Sequence, residues 1–541
     1  MPSKKSQMIH DISLRLHPRE AATSEMLRLA VARQMSLLPQ EINDLYVVRR
    51  SIDARQRQVM VNVTVRVATG DTSEVKECWT PKKFQDVSCA RHQVIIAGAG
   101  PAGLFAALKA IEFGIRPIIL ERGKDVDRRR LDIAALNRNG VVDPDSNYCF
   151  GEGGAGTFSD GKLFTRSKKR GDVSEILGLL YQHGADESIL VDSHPHIGSD
   201  RLPIIIKNIR QTILNHGGNV FFDTRVTDLL VDRRRMAVTG VAVEDGRHFM
   251  GPVVLATGHS ARDIYRMLDR RGVEIEPKGL AIGVRLEHPQ HLIDMIQYHS
   301  PKGRGKWLPA AEYKFVCQSG GRGVYSFCMC PGGVIVPAVS GPGQLVVNGM
   351  SASARASRYA NSGMVVEIRP GDFPEFEEEG NLQMLALQEN LEKRFYEEAG
   401  HTLNAPAQRM TDFVVCRESS DLPSSSYLPG IHPSRMDLLL PTFISSRLRE
   451  GFRIFGQRSR GFMSEDAILV GLESRTSSPV RIPRDRETLQ HIALAGLYPV
   501  GEGAGYAGGI VSAAIDGQNA VTALAGNIQV DLHADCNIDD L

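Results

Sequence analysis

The segment from Gln93 to Glu121 constrains this chain more than any other. Val94-Ile95-Ile96-Ala97 reads as a buried strand, and Gly98-Ala99-Gly100-Pro101-Ala102-Gly103 is a glycine turn that opens a helix. In such a unit Gly98 permits the tight turn, Gly100 lets a pyrophosphate approach the backbone, and Gly103 lets helix and strand pack closely. The free N–H groups and positive dipole end of the helix then face the phosphates. Glu121 closes a second apolar strand, Pro117-Ile118-Ile119-Leu120, about twenty residues on, where an acid can hold a ribose hydroxyl pair. A lone glycine triplet carries little. Strand, turn, helix, strand and acid in that order specify a dinucleotide site.

The rest of the composition fits a soluble, multidomain chain. Its 541 residues exceed one ordinary core, so two or three domains are expected. A formal net charge of +1 gives no field that would favour nucleic acid or a membrane surface, so no stable nucleic-acid partner is expected. Eight cysteines, at 78, 89, 149, 317, 328, 330, 416 and 536, are scattered apart from one Cys-x-Cys pair. That is not a disulfide framework, and with no apolar leader or membrane-spanning run the expectation is cytoplasmic.

The chain divides by pattern. Residues 1–88 read as a small α+β module: a strand at Ile9–Leu16, a helix over 23–37, and strands at Val47-Val48 and Val59–Val65. Its basic residues read as a solvated surface. The nucleotide domain is expected at 90–264 and again at 488–530, with an inserted mixed-sheet α+β substrate domain at 265–487 and a polar tail at 531–541. Within 90–264, a helix near 203–216 leads to a third parallel strand, Asn219–Asp223. A hairpin spans 225–243, and the strand Val253–Ala256 ends in Thr257-Gly258-His259-Ser260.

Gly151-Glu152-Gly153-Gly154-Ala155-Gly156-Thr157-Phe158-Ser159-Asp160-Gly161-Lys162 is too rich in glycine for a stable helix or strand interior. Its polar residues suit a backbone wrapped around a cofactor better than a linker. Near the C-terminus, Val500-Gly501-Glu502-Gly503 precedes Gly508-Gly509-Ile510-Val511, which opens another helix.

Gly98–Gly103 with Glu121, Leu255-Ala256-Thr257-Gly258, and Val500-Gly501-Glu502 together resemble the FAD-binding domain of the glutathione-reductase-like flavoproteins. More closely, the whole chain resembles a family of poorly characterised bacterial FAD-dependent dehydrogenases. That likeness is carried by Phe150–Leu163, by Ser326-Phe327-Cys328-Met329-Cys330-Pro331-Gly332-Gly333, and by Ser474–Arg481. The resemblance implies a discontinuous doubly wound FAD domain. Gly98, Gly100, Pro101, Ala102 and Gly103 would cradle the pyrophosphate, and Glu121 and Arg122 would meet the adenosine. The loop residues Gly153, Gly154, Gly156, Thr157, Ser159 and Asp160 would line the cofactor. Val226 would hold the adenine through its backbone, and Thr257 and Gly258 would cross the nucleotide. Gly501 and Glu502 would reach the ribityl chain, where such proteins usually carry Asp. Gly508, Gly509, Ile510 and Val511 would aim a helix start at the flavin, favouring negative charge on its reduced form.

The implied activity is FAD-dependent hydride exchange with a small molecule, the electrons coming from the substrate itself or from a transient NAD(P)H or protein donor; the arginines named below suit an anionic substrate. No second glycine fingerprint marks a dedicated nicotinamide domain. Two rival readings stand beside it. One is a flavin monooxygenase, although Gly501-Glu502-Gly503 replaces the usual Gly-Asp-Ala. The other is a non-enzymatic protein stabilised by FAD, whose N-terminal module contacts RNA or protein. No catalytic residue is assigned: Tyr325, His288, Arg285 and His259 have position alone in their favour. Cys328 and Cys330 are expected to be buried, inert thiols at a strand end, because their spacing is not that of a thioredoxin-like pair. No Cys or His spacing suggests a metal site. Arg475, Arg481 and Arg484 are the expected anion-binding arginines.

Overall fold

The computed structural model describes residues 8–70, 79–165 and 170–536. The N-terminal module is β1 (Met8–Leu16), α1 (Ser24–Met35), β2 (Ile42–Asp53) and β3 (Met60–Thr69), an antiparallel sheet in the order β1-β3-β2. Thr23 caps α1 by accepting from the Met26 N–H, which satisfies one of the orphan donors at the helix start. Val61, Val63, Val65 and Val67 alternate inward along β3 and pack on Leu27, Ala30 and Val31 of α1. The Arg50 guanidinium joins the module to the next domain through two hydrogen bonds to the Asp192 carboxylate, at 2.7 and 3.0 Å.

The second sheet is parallel. Its strands are β4 (Gln93–Ala97), β5 (Arg116–Leu120), β6 (Asn219–Phe221), β10 (Val253–Leu255) and a late strand, Leu497–Pro499. Their order is Leu497–Pro499, β10, β4, β5, β6. Val94, Ile95, Ile96 and Ala97 are all buried, as in a strand covered on both faces. One cover is α2 (Pro101–Glu112), which packs against the C-terminal helix, Ile510–Cys536. Between β6 and β10, β7 (Val226–Asp232), β8 (Ala237–Val243) and β9 (His248–Met250) form a separate antiparallel sheet. The order in which strands are added reverses at β4, since β5 and β6 lie on one side and β10 on the other. That is the switch point at which open α/β sheets hold ligands.

The middle of the chain forms a seven-stranded sheet. Its order is Val316–Ser319, Arg322–Cys330, Tyr359–Ile368, Leu280–Pro289, Ile468–Glu473, Ala405–Arg409 and Ile431–Pro433. Every pairing is antiparallel except the last. Helix Thr442–Arg458 covers it with Leu448, Phe452 and Phe455, all fully buried. The C-terminal helix runs on to Cys536, into the polar tail expected from residue 531; residues 537–541 lie outside the described residues.

Candidate cofactor site

A cavity of about 390 Å³ opens at the C-terminal ends of the parallel strands and extends to the middle sheet. Its floor is the turn after β4. Gly98 has φ +109°, and a β-carbon there would stand 2.5 Å from the Ala256 carbonyl oxygen, so only glycine fits. Gly100 is the N-cap of α2 and provides no side-chain cap, while the helix starts at the cavity wall. Its first N–H groups therefore lack the usual partner and present a positive dipole end to whatever enters.

Glu121 lines the cavity although it is only 4 % exposed. One carboxylate oxygen accepts from the N–H of Ala99 at 2.8 Å, and the other from Gly123 and Gly151 at 2.9 and 3.0 Å. The acid thus ties the glycine turn, the end of β5 and the glycine-rich loop together. A carboxylate has about four acceptor sites, so three such bonds leave one for a ligand hydroxyl. Beside it, the Arg122 guanidinium sits 4.1 Å from the centre of the Phe150 ring and pairs with Asp145 and Asp263. Val226, at the start of β7, lines the same end.

The structure sorts the sequence-predicted residues into two groups. Most of them reach the cavity, including Pro101 and Ala102 from the first turn of α2, Gly154, Gly156 and Ser159 from the loop, and Thr257 and Gly258 after β10. Four stand behind it. Gly103 and Val511 pack between elements, and Gly153 is closed off by the Thr157 hydroxyl. Thr157 itself is buried and donates to the Glu152 carbonyl at 2.8 Å, so it braces the loop. Asp160 does line the cavity, yet its carboxylate accepts from Arg355 at 2.6 and 3.1 Å.

At the far end, Gly501, Glu502, Gly508, Gly509 and Ile510 face residues of the middle sheet. A β-carbon at Gly508 or Gly509 would meet nothing within 4 Å, so the start of the C-terminal helix is open to the cavity. His259 is placed there too: its Nδ1 lies 3.2 Å from a Glu502 carboxylate oxygen. Lys162, Phe327, Cys328 and Asn348 complete this end. Lys162 was visible in the glycine-rich loop, but nothing local marked it as the cation of the site. No motif marked Asn348.

Several expectations are corrected. Arg475 reaches the cavity wall but is buried in an ion pair with Glu392, at 3.0 Å, which also accepts from Arg262 at 2.7 Å. Burial pushes the Glu392 carboxyl up, but the two guanidinium groups outweigh it and hold the group at about 2. Arg484 is paired with Asp516, whose carboxylate also accepts from the Gly501 N–H at 2.7 Å. Arg481 lies over the Tyr506 ring, with its guanidinium 6.0 Å from the ring centre. Arg475 and Arg484 are thus committed to buried carboxylates, while Arg481 is exposed and does not border the cavity. His288 is fully buried against the Phe462 carbonyl, and burial drives its pKa down to about 4. Arg285 is fully buried against Glu473 at 2.9 Å, and Tyr325 borders a separate hollow. The two thiols differ from each other: Cys330 is buried, as expected, but Cys328 is exposed and borders the cavity.

A protein of Clostridium beijerinckii described as uncharacterised is 40% identical to this chain over 511 residues, covering 91% of this chain and 94% of its own length. The chain belongs to the family of that protein. A family model described as FAD-dependent protein, C-terminal domain-like, matches residues 279–476, the middle sheet and its helices. A domain of unknown function matches residues 8–68. Among solved structures, the flavin-dependent brominase Bmp2 is 13% identical over 81% of this chain and 79% of its own, with a TM-score of 0.35. A geranylgeranyl bacteriochlorophyll reductase-like protein from Thermoplasma acidophilum is 12% identical over 81% and 80%, with a TM-score of 0.32.

Proposed function

We propose that this protein is an FAD-dependent oxidoreductase that exchanges hydride with a small, anionic molecule. The observation that carries the reading is the uncapped start of α2 at Gly100, which opens into a cavity also lined by Glu121. The residues present fit FAD. Gly100, Gly258, Gly508 and Gly509 leave open space where a β-carbon would stand, the nearest atom at Gly100 being 3.9 Å away. The family model over the middle sheet names the same cofactor.

When bound, FAD supplies hydride acceptance and donation, which no side chain can provide. The start of α2 would hold the pyrophosphate, Glu121 a ribose hydroxyl and Glu502 a ribityl hydroxyl. The start of the C-terminal helix would face the flavin ring, where its dipole favours negative charge. His259 orients Glu502 from the other side. Lys162 offers a cation at the far end: burial lowers its pKa, but the neighbouring thiols and Asp160 outweigh that and keep it raised. That cation supports an anionic substrate. NAD(P)H is proposed as a transient donor, since no second glycine fingerprint is present to house it permanently.

Anaerobic titration of the purified protein with NADH, NADPH and candidate organic acids tests this reading. Bleaching of the flavin band by one of them is the expected result. Flavin that dithionite reduces, but no nicotinamide or organic donor does, would overturn the enzymatic reading and leave FAD structural.

A further inference from the structure

Lys162 and Asn348 both line the far end of the cavity, and each brings N–H groups that find no acceptor among the described residues. The Lys162 ammonium lies 3.7 Å from the Asp160 carboxylate, beyond hydrogen-bond reach. That carboxylate is already taken by the Arg355 guanidinium, at 2.6 and 3.1 Å. The Lys162 side chain is 30 % exposed, and it borders the cavity. An ammonium has three donors and no acceptor, so this one calls for an anion from outside the protein.

Asn348 is oriented from behind. It belongs to strand Val347–Met350, which crosses Arg285 so closely that a β-carbon on Gly349 would stand 2.1 Å from the guanidinium. Arg285 is fully buried and donates to Asn348 Oδ1 at 3.2 Å, to Asn361 Oδ1 at 2.9 Å and to the Cys328 carbonyl at 2.7 Å. The Gly349 N–H donates to the same Asn348 oxygen at 2.7 Å. A guanidinium cannot accept, so the amide oxygen and not its nitrogen must face it. Asn348 Nδ2 is left as the group that meets a ligand. Arg285 is thus a positioning residue for that donor.

Charge limits what the ligand can be. Arg355 and Asp160 cancel, so with Lys162 the three groups carry one excess positive charge. The other charges nearby are paired: Glu312 with His194, whose pKa that carboxylate raises, and Arg285 with Glu473. One excess charge matches a carboxylate better than a doubly charged phosphate. Phe164 and Phe327 border the same cavity, and Phe164 is half-exposed although its ring is large and apolar. Uncovered aromatic surface beside convergent polar groups is the usual make-up of a small-molecule pocket.

We propose that Lys162 and Asn348 form a carboxylate subsite, taking an organic monocarboxylate whose apolar body lies against Phe164 and Phe327. This names the substrate class within the flavin reading of the cavity, and rests on that reading for any reaction of the bound acid. Binding of the carboxylate itself requires only the two donors.

The test uses the full-length protein with its flavin. It is titrated with phenylacetate, phenylacetamide and acetate by calorimetry, and FAD is quantified in every sample. Phenylacetate is expected to bind, with the uncharged amide at least about tenfold weaker for want of a charge-assisted bond. Acetate, which lacks the ring, is expected to be weaker by about tenfold or more. Inorganic phosphate is expected not to displace phenylacetate. Lys162→Met should abolish the preference for phenylacetate over phenylacetamide. Asn348→Asp keeps an oxygen for Arg285 but replaces the donor with an acceptor, and should weaken phenylacetate by about tenfold or more. A protein that carries FAD but binds phenylacetate no better than phenylacetamide or acetate, or loses it to phosphate, would overturn the inference alone. Loss of FAD from Lys162→Met would give the ammonium to the cofactor and overturn it as well. Phenylacetate bound with the expected preference by a chain that binds no FAD would overturn the flavin reading alone.

Discussion

Gly103 in the first turn of α2 lies directly beneath Gly98: a β-carbon on Gly103 would stand 2.0 Å from the Gly98 carbonyl oxygen. The contact fixes how closely α2 approaches the end of β4, and so where its first N–H groups point. Gly103→Ala is expected to destabilise the protein by about 1–3 kcal/mol or more, as overpacking does. Chemical denaturation of wild type and variant measures it.

Gly100 makes the opposite case. Its φ of −75° suits any residue, and a β-carbon would have only Gly154 within reach, at 3.9 Å. Gly100→Ala is expected to leave the fold nearly unchanged, since alanine for glycine at an N-cap costs roughly 1 kcal/mol or less. FAD, however, should be lost, because the methyl group occupies the space assigned to the pyrophosphate. Circular dichroism and the flavin-to-protein absorbance ratio separate the two effects. Equal loss of fold and flavin would contradict the assignment.

Glu502 is expected to contribute to cofactor retention through a charge-assisted hydrogen bond. Glu502→Ala should weaken FAD binding by about tenfold or more, in line with roughly 1.5–3 kcal/mol for such a bond. Titration of the deflavinated protein, followed by flavin fluorescence, reads the change.

Glu392 is a stability residue with a defined pH signature. It is buried between Arg262 and Arg475, so Glu392→Ala leaves the Arg475 guanidinium without its carboxylate and Arg262 with Glu389 at 3.6 Å, and should cost about 3–5 kcal/mol. Its folded pKa, about 2, is below the ordinary 4.5. The contribution is therefore complete above the unfolded value and is lost as pH falls through about 2. The wild type should accordingly lose more stability than the variant between pH 5 and pH 2, a range chosen to bracket those values. Parallel denaturation curves across that range check it.

How much of this was legible depended on the distance over which each feature is set. β4, the glycine turn, β5 and Glu121 could be read because a buried strand and a tight turn impose their residue types locally. The same holds for Thr257-Gly258 and Gly501-Glu502, which sit at strand ends. The arginines could not be judged this way, since Arg475 meets a partner 83 residues away and Arg484 one 32 residues away. Nor could Cys328. Simple alternation puts residues 328 and 330 on one face, and the bulge that parts them depends on pairing with Gly363 and Asn361. Thr157 was misplaced for a similar reason: a polar side chain in a glycine-rich loop can brace the loop as readily as meet a ligand.

FAD is proposed to bind in the cavity above β4. The most direct measurement denatures the purified protein and identifies what it releases by chromatography, alongside titration of the stripped protein with FAD. One FAD per chain, rebound by the wild type and not by Gly100→Ala, is the predicted result. A wild-type chain that releases no flavin and binds none when FAD is added would contradict it.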